Sequence, residues 1–310
     1  LFEMYRDERG EVPRFIKCLF ACEMQWRFQS ANSNNLVKGG VLNDQQYLAY
    51  KNLLHHELEE LDFDSLSKSK FLYQEEKLFQ FRYKAQVPAD LVWNACQGSL
   101  MMGVGNQMIC MLSRSALKIS IVEIRNQKLY ISGIATLPVT GRSEEYNFMI
   151  YTNNRGRCVA WTDYEKEFCI LDEPFMIHRS FTAEVSLEKC ERIEIRFALE
   201  YAGYTSFLSS IRIAYTAPLS IAYPHMAYCR DGWMVSFTGG MFVVQAADAK
   251  EMHTWNKILI KELWRKRKDS AAQKALIIRL ILPLLRGLTK RPIWLLADRY
   301  TSAGDNAEAL

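Results

Sequence analysis

A period-two alternation of apolar and polar side chains fills the middle of this chain and commits it to strands with one buried face. It runs through Lys118-Ile119-Ser120-Ile121-Val122-Glu123-Ile124, then Lys128 to Ile134, Tyr146 to Tyr151, Arg192 to Leu199 and Ser210 to Tyr215. Turn-forming residues separate these runs: Arg125-Asn126-Gln127, Asn153-Asn154-Arg155-Gly156 and Arg230-Asp231-Gly232. Alternation broken by tight turns predicts antiparallel pairing. Seven to nine strands over residues 90–246 predict a β-sandwich, closed by a hairpin of 226–229 with 232–235 and a last strand over 241–245.

On either side the period changes to that of a helix. Pro13 suits a first helical turn, and Phe15, Leu19, Cys22 and Trp26 then recur as one apolar face. Residues 30–40 read as a polar loop ending in Gly-Gly. Asn43 is placed to cap the next helix with Gln46 three residues on, and Tyr47, Leu54, Leu58 and Leu61 form its buried stripe. A short helix or strand follows near 71–84, and Pro88 ends the region. After Glu251 the stripe Met252, Trp255, Leu259, Leu263 runs beside a row of cations, Lys257, Lys261, Arg265 and Lys268. Residues 271–282 read as an aliphatic helix that Pro283 kinks or ends. The expected class is a multidomain α+β chain: a helical tail over 1–88, a β-sandwich over 90–246, a basic amphipathic connector over 251–290, and a first strand and helix start over 291–310.

Charge sharpens this division. The net charge is only +4, yet residues 250–291 hold twelve Lys and Arg against three acids. A concentrated basic segment calls for a surface or a polyanion. Nucleic acid fits poorly, because no reader motif is present and the aliphatic run 276–285 would be wasted on phosphates. An in-plane helix on anionic lipid fits better, with Trp255 and Trp264 at the headgroup boundary beside Lys257, Lys261, Arg265 and Lys268. The other reading is an interdomain helix whose stripe packs on protein and whose charges are solvated. No run nears the twenty apolar residues of a membrane span, and no signal-peptide pattern is seen. Eight scattered Cys without a Cys-x-x-Cys pair point to reduced thiols, so the expected place is the cytoplasm, peripheral to the inner face of the membrane.

The last twenty residues carry a resemblance. Arg291-Pro292-Ile293-Trp294-Leu295-Leu296-Ala297-Asp298-Arg299 leads through a polar turn into Ala303-Gly304-Asp305-Asn306-Ala307-Glu308-Ala309-Leu310. This resembles the opening of the CDP-glycerol glycerophosphotransferase domain of teichoic-acid and capsule polymerases. The stretch Val12-Pro13-Arg14-Phe15-Ile16 with Glu23-Met24-Gln25-Trp26-Arg27 is similar to the helical tail after a GT-A glycosyltransferase domain in two-enzyme chains of this kind. A domain opening at Pro292 cannot bury a core in nineteen residues, so the expectation is a piece of a longer chain, lying between two catalytic domains. The resemblance implies a parent enzyme that moves glycerol phosphate from CDP-glycerol to a polymer hydroxyl. It implies a fragment that holds no complete active site and no cofactor of its own.

Several residues are candidates for contact with a ligand. Asp298, Arg299, Gly304, Asp305 and Asn306 occupy a strand-to-helix turn, where phosphate is attracted; helix capping is the plainer role. Trp161, Tyr164, Tyr201 and Tyr204 are read as loop aromatics that could stack on a glycan or polyol-phosphate chain, although sandwich aromatics mostly fill the core. If they do not bind polymer, the β-region is a spacer. Asp62-Phe63-Asp64 has the spacing of a cation-binding pair but follows a helix, which favours capping. His55-His56-Glu57 lacks a second His at i+4 and reads as a solvated face, and Cys18 with Cys22 reads as small apolar packing. No metal site is expected.

Overall fold

A computed structural model describes residues 2–280, apart from 30–39, 68–71, 97–98, 141–145, 189, 215, 216, 218, 222, 224, 270, 271, 278 and 279. Residues 1–252 form one compact unit and 253–310 a second. The class is α+β. Helices α1 (Arg14–Met24), α2 (Asp44–Glu59), α3 (Phe63–Ser67) and α4 (Gln74–Ala85) precede the strands, and α5 (Ala249–Arg265) follows them.

The helices begin where local chemistry allows. Asn43 Oδ1 accepts from the Gln46 amide at 2.9 Å while Gln46 Oε1 accepts from the Asn43 amide at 3.0 Å, a reciprocal cap on α2. Tyr47, Leu54, Leu58 and Leu61 are all buried, as their spacing predicts. The 71–84 region, expected as a helix or strand, holds helix α4 from Gln74 on; the Tyr73 amide donates to Glu76 Oε2 at 3.1 Å, and the chain leaves through Gln86 in the left-handed conformation. Helix α1 overturns its expected face. Ile16, Ala21 and Met24 are buried, whereas Phe15 (69%), Leu19 (59%) and Trp26 (47%) are exposed, and Cys22 is exposed too. The helix carries two apolar stripes about 100° apart, and period alone does not rank them. Packing does: the partly buried Phe20, on the Ile16 side, meets Phe2 edge-on at 4.7 Å.

Among the described residues fifteen strands make three sheets, not the seven to nine expected. A small sheet holds β1 (Asp90–Asn94), β2 (Ser99–Val104) and β3 (Gln107–Met111) in that order. A five-stranded sheet contains β4 (Leu117–Arg125), β5 (Lys128–Pro138), β8 (Trp161–Ile170), β9 (Glu173–Ser186) and β12 (Ile211–Ile213), ordered β12-β4-β5-β9-β8. A seven-stranded sheet contains β6 (Asn147–Thr152), β7 (Arg155–Cys158), β10 (Arg192–Tyr201), β11 (Tyr204–Phe207), β13 (Tyr228–Arg230), β14 (Trp233–Thr238) and β15 (Met241–Ala246). Its order is β13-β14-β15-β10-β6-β7, with β11 also on β10. Pairing is antiparallel except for β12 with β4. Among the described residues of the run 210–215, only Ile211–Ile213 form a strand.

The hairpin turns explain the positive-φ residues. Asn126-Gln127, Asn153-Asn154, Leu171-Asp172 and Asp231-Gly232 each place two consecutive residues at positive φ, the requirement of a tight two-residue hairpin loop. The two large sheets face each other across aromatic rings. Phe148 of β6 lies 4.6 Å from Phe181 of β9, and Phe181 lies 5.5 Å from Phe197 of β10. All three rings are buried. One continuous core runs from Phe2 through the helices to Val244, so helices and sheets share a single interior. Phe79 of α4 meets Phe175 of β9 at 6.4 Å, and Arg82 beside it pairs with Glu173 at 3.2 Å.

Candidate functional site

The sandwich's seven-stranded sheet has one face in the core and one in solvent. In β6, Phe148 and Ile150 are buried, so Asn147, Met149 and Tyr151 stand on the opposite face. In β10, Ile193, Ile195, Phe197, Leu199 and Tyr201 are buried, which puts Arg196 and Glu200 outside. Register then builds a cluster: Arg196 sits opposite Tyr151, Glu200 opposite Thr205, and Ala198 opposite Phe207.

The side chains confirm the alignment. Tyr151 Oη donates to Glu200 Oε1 at 2.9 Å, and Thr205 Oγ1 donates to the same oxygen at 3.0 Å. The two hydroxyls are 3.2 Å apart. The Tyr151 and Phe207 rings meet edge-on at 5.0 Å, and the Arg196 guanidinium lies 6.0 Å from the Phe207 centroid. Among the described residues no carboxylate pairs with Arg196 and nothing occupies the second oxygen of Glu200. Phe207 is 43% exposed. Beside them Gly156 lies under the Tyr151 ring; a Cβ there would come within 2.8 Å of Tyr151 Cζ, so only glycine lets the ring lie flat across β7. Apolar rings beside a carboxylate acceptor and a guanidinium donor suit a hydroxyl-rich chain, with its C–H faces on the rings and its hydroxyls on the charged groups.

The aromatic residues singled out from the sequence do not come together. Trp161 and Tyr164 lie in strand β8, not in a loop. Trp161 stacks on core Phe148 at 4.8 Å, and Tyr164 is 47% exposed. Tyr201 is buried against Tyr146 at 6.4 Å. Tyr204 is exposed and stacks on Trp93 at 4.5 Å with 14° between planes. The cluster at Tyr151 was missed, although one signal was present: Tyr151, Arg196, Glu200, Thr205 and Phe207 all fall on the polar parity of their strands.

The remaining candidates resolve as follows. Asp62 caps α3, with its Oδ1 accepting from the Ser65 amide at 2.7 Å. Burial works to raise its carboxyl, but the Ser65 hydrogen bonds and the Lys17 charge outweigh it and hold it low. Asp64 pairs with Arg14. No group of three potential metal ligands occurs among the described residues. Cys18 approaches Ser65 Oγ at 3.9 Å, and Cys22 is exposed. His56 is solvated as expected, but His55 is not. It packs edge-on to Tyr83 at 6.0 Å and lines a cleft of about 450 Å³ with Lys51, Tyr83 and Glu173. Burial pushes the Tyr83 hydroxyl up to about 12, and that hydroxyl donates to the Lys51 carbonyl at 3.0 Å.

On α5, Leu259 and Leu263 are buried and Trp255 is half-buried. Lys257, Lys261, Arg265 and Lys268 are exposed, with Trp264 57% exposed on the same side and Arg267 over its ring at 5.6 Å. The expected apolar stripe is therefore turned away from solvent, and the outer face joins cations to a single Trp. No helix among the described residues is long and apolar enough to cross a membrane. Residues 291–310, including Asp298, Arg299, Gly304, Asp305 and Asn306, lie outside the described residues, as does Pro283.

No protein-family model matches this chain, and no curated protein matches it either.

Proposed function

We propose that this chain is a non-catalytic scaffold region of a cell-surface polymer synthase, and that the outer face of its seven-stranded sheet holds the hydroxyl-rich polymer during synthesis. The observation that carries the reading is the outward cluster of Tyr151, Arg196, Glu200, Thr205 and Phe207, with two aromatic rings and two available charged groups on one flat strand surface. The resemblance of 291–310 to CDP-glycerol glycerophosphotransferases supplies the polymer class, a polyol-phosphate or glycan chain. CDP-glycerol is then the donor used by the flanking catalytic domain. The exposed Phe15 and Leu19 on α1, with Trp26 in the turn just after it, support a neighbouring domain of the same chain as partner. The cationic face of α5 with Trp264 supports peripheral contact with anionic lipid on the cytoplasmic side.

A second reading, a spacer that binds nothing, is favoured by the core burial of Tyr201 and the core stacking of Trp161. Calorimetric titration of glycosyl-glycerol-phosphate oligomers into the 310-residue chain separates the two. Saturable binding that falls at least tenfold in both Phe207→Ala and Glu200→Gln supports the polymer-holding face. Absence of heat at millimolar oligomer leaves the spacer.

A further inference from the structure

Strand β7 has a second face, and it carries different chemistry. Arg155 lies opposite Thr152 and Arg157 opposite Ile150. Ile150 is buried between the sheets, so both arginines project toward the five-stranded sheet, and Gly156 between them belongs to the outer face. Arg157 reaches across the gap and donates through Nη2 to the Glu184 carbonyl of β9. The two strands thereby wall a cleft of about 540 Å³, lined also by Thr152, Ser186 and Cys190.

Three properties of the cleft fix its chemistry. It is cationic: Glu184 is its one lining acid among the described residues, and Lys128 neutralises that carboxylate at 2.6 Å. It has donors to spare: among the described residues the Arg155 side chain makes no hydrogen bond or ion pair, and the Arg157 guanidinium makes one hydrogen bond, to the Glu184 carbonyl, with its charge also felt by the Glu184 carboxylate. Its remaining polar groups are neutral, with the hydroxyls of Thr152 and Ser186 beside the thiol of Cys190. A single guanidinium fork saturates a carboxylate, whereas two guanidinium groups on one strand face match the larger oxygen set of a phosphate. A volume of about 540 Å³ falls in the range that holds a small organic molecule.

We propose that this cleft is a binding site for a phosphorylated polyol or sugar, with Arg155 and Arg157 clamping the phosphate and Thr152 and Ser186 facing the hydroxylated remainder. The site lies on the opposite side of β7 from the Tyr151 cluster and does not depend on the polymer-holding reading. Cleft occupancy would place a charged group at the sandwich edge next to the face that carries Tyr151.

The test is calorimetric titration of the 310-residue chain with glycerol 3-phosphate, glucose 1-phosphate, inorganic phosphate and glycerol as separate ligands. Arg155→Gln is the informative variant, because the Arg155 side chain is exposed and without a partner among the described residues and its loss leaves the fold intact, which circular dichroism and the unfolding midpoint verify. Saturable binding of the two phosphorylated compounds is expected. Affinity falls at least tenfold in R155Q and partly recovers in R155K, which restores the charge without the fork. Undiminished binding in R155Q overturns the assignment, as does lack of saturation at 10 mM in the unmodified chain, roughly the weakest affinity that would matter for a metabolite-sized ligand. Inorganic phosphate binding as tightly as glycerol 3-phosphate overturns the organic part of it. Oligomer binding at Phe207 that persists in R155Q keeps the two sites separate.

Discussion

Glu75 sits in an environment that a carboxylate does not prefer. It lies on α4 with its side chain buried, and burial is the main cause of its raised carboxyl pKa; a hydrogen bond from Gln74 Nε2 at 3.1 Å and the charge of Arg212 only partly offset this. A carboxyl whose folded-state value is raised binds more protons folded than unfolded. Its contribution to stability is therefore fully present below the ordinary 4.5 and is lost as pH rises through the folded-state value. Glu75→Gln keeps the Oε1 acceptor and removes the charge. The variant should be more stable than the parent at pH 7, indistinguishable from it below the ordinary value, and flatter in between. Urea unfolding at a series of pH values checks this; a variant destabilised at pH 7 would show that the Arg212 attraction outweighs burial. Cys110 shares the neighbourhood, its thiol pushed up to about 12 by burial and the nearby Glu75 carboxylate, so it stays an unreactive thiol at neutral pH. None of this was legible in the sequence, where nothing marks Glu75 as a buried carboxylate.

At the scale of elements, legibility followed the number of wet faces. Helix α2 was legible at its start and on its buried side, because Asn43 and Gln46 fix the cap and Tyr47, Leu54 and Leu58 form one stripe, although Leu61, read with that stripe, lies just past the helix end. Helix α1 could not, because it is apolar on two sides. Strand β8 gave no alternation: six consecutive residues, 162–167, are exposed at the sheet edge, so nothing selects one parity over the other. Its partner β9, fourteen residues long, is the longest strand, yet its Pro174, His178 and Arg179 break the pattern. The candidate face at Tyr151 was hidden for a related reason. It depends on which strands are neighbours, and the β10 register with both β6 and β11 is a long-range property. Helix α5 makes its own prediction. Each Lys or Arg close to an anionic membrane contributes about 1 kcal/mol. Replacing Lys257, Lys261, Arg265 and Lys268 by Gln should therefore weaken flotation with phosphatidylserine vesicles by about 4 kcal/mol, roughly a thousandfold. Equal flotation of the two proteins would remove lipid as a partner of this helix.

Across the unit 1–252, the decisive property is the absence of a seam. Phe79 on Phe175, Arg82 on Glu173 and Tyr83 on the Lys51 carbonyl tie helices and sheets into one interior. A chain begun at residue 90 would uncover Phe175 and leave the small sheet without the helix packed on it. It should express as an aggregating or partly folded product, with weak near-ultraviolet dichroism, whereas residues 1–252 should unfold in one cooperative transition. Cooperative unfolding of 90–252 with native dichroism would show the opposite. The same continuity bears on inheritance. A crossover between two genes that fell inside 2–246 would pair helices and strands that had never been fitted to each other, and Phe79 would meet an unmatched partner in place of Phe175. Joins between ancestral pieces are expected outside that span, so the helices and the sandwich travel through descent as one heritable block.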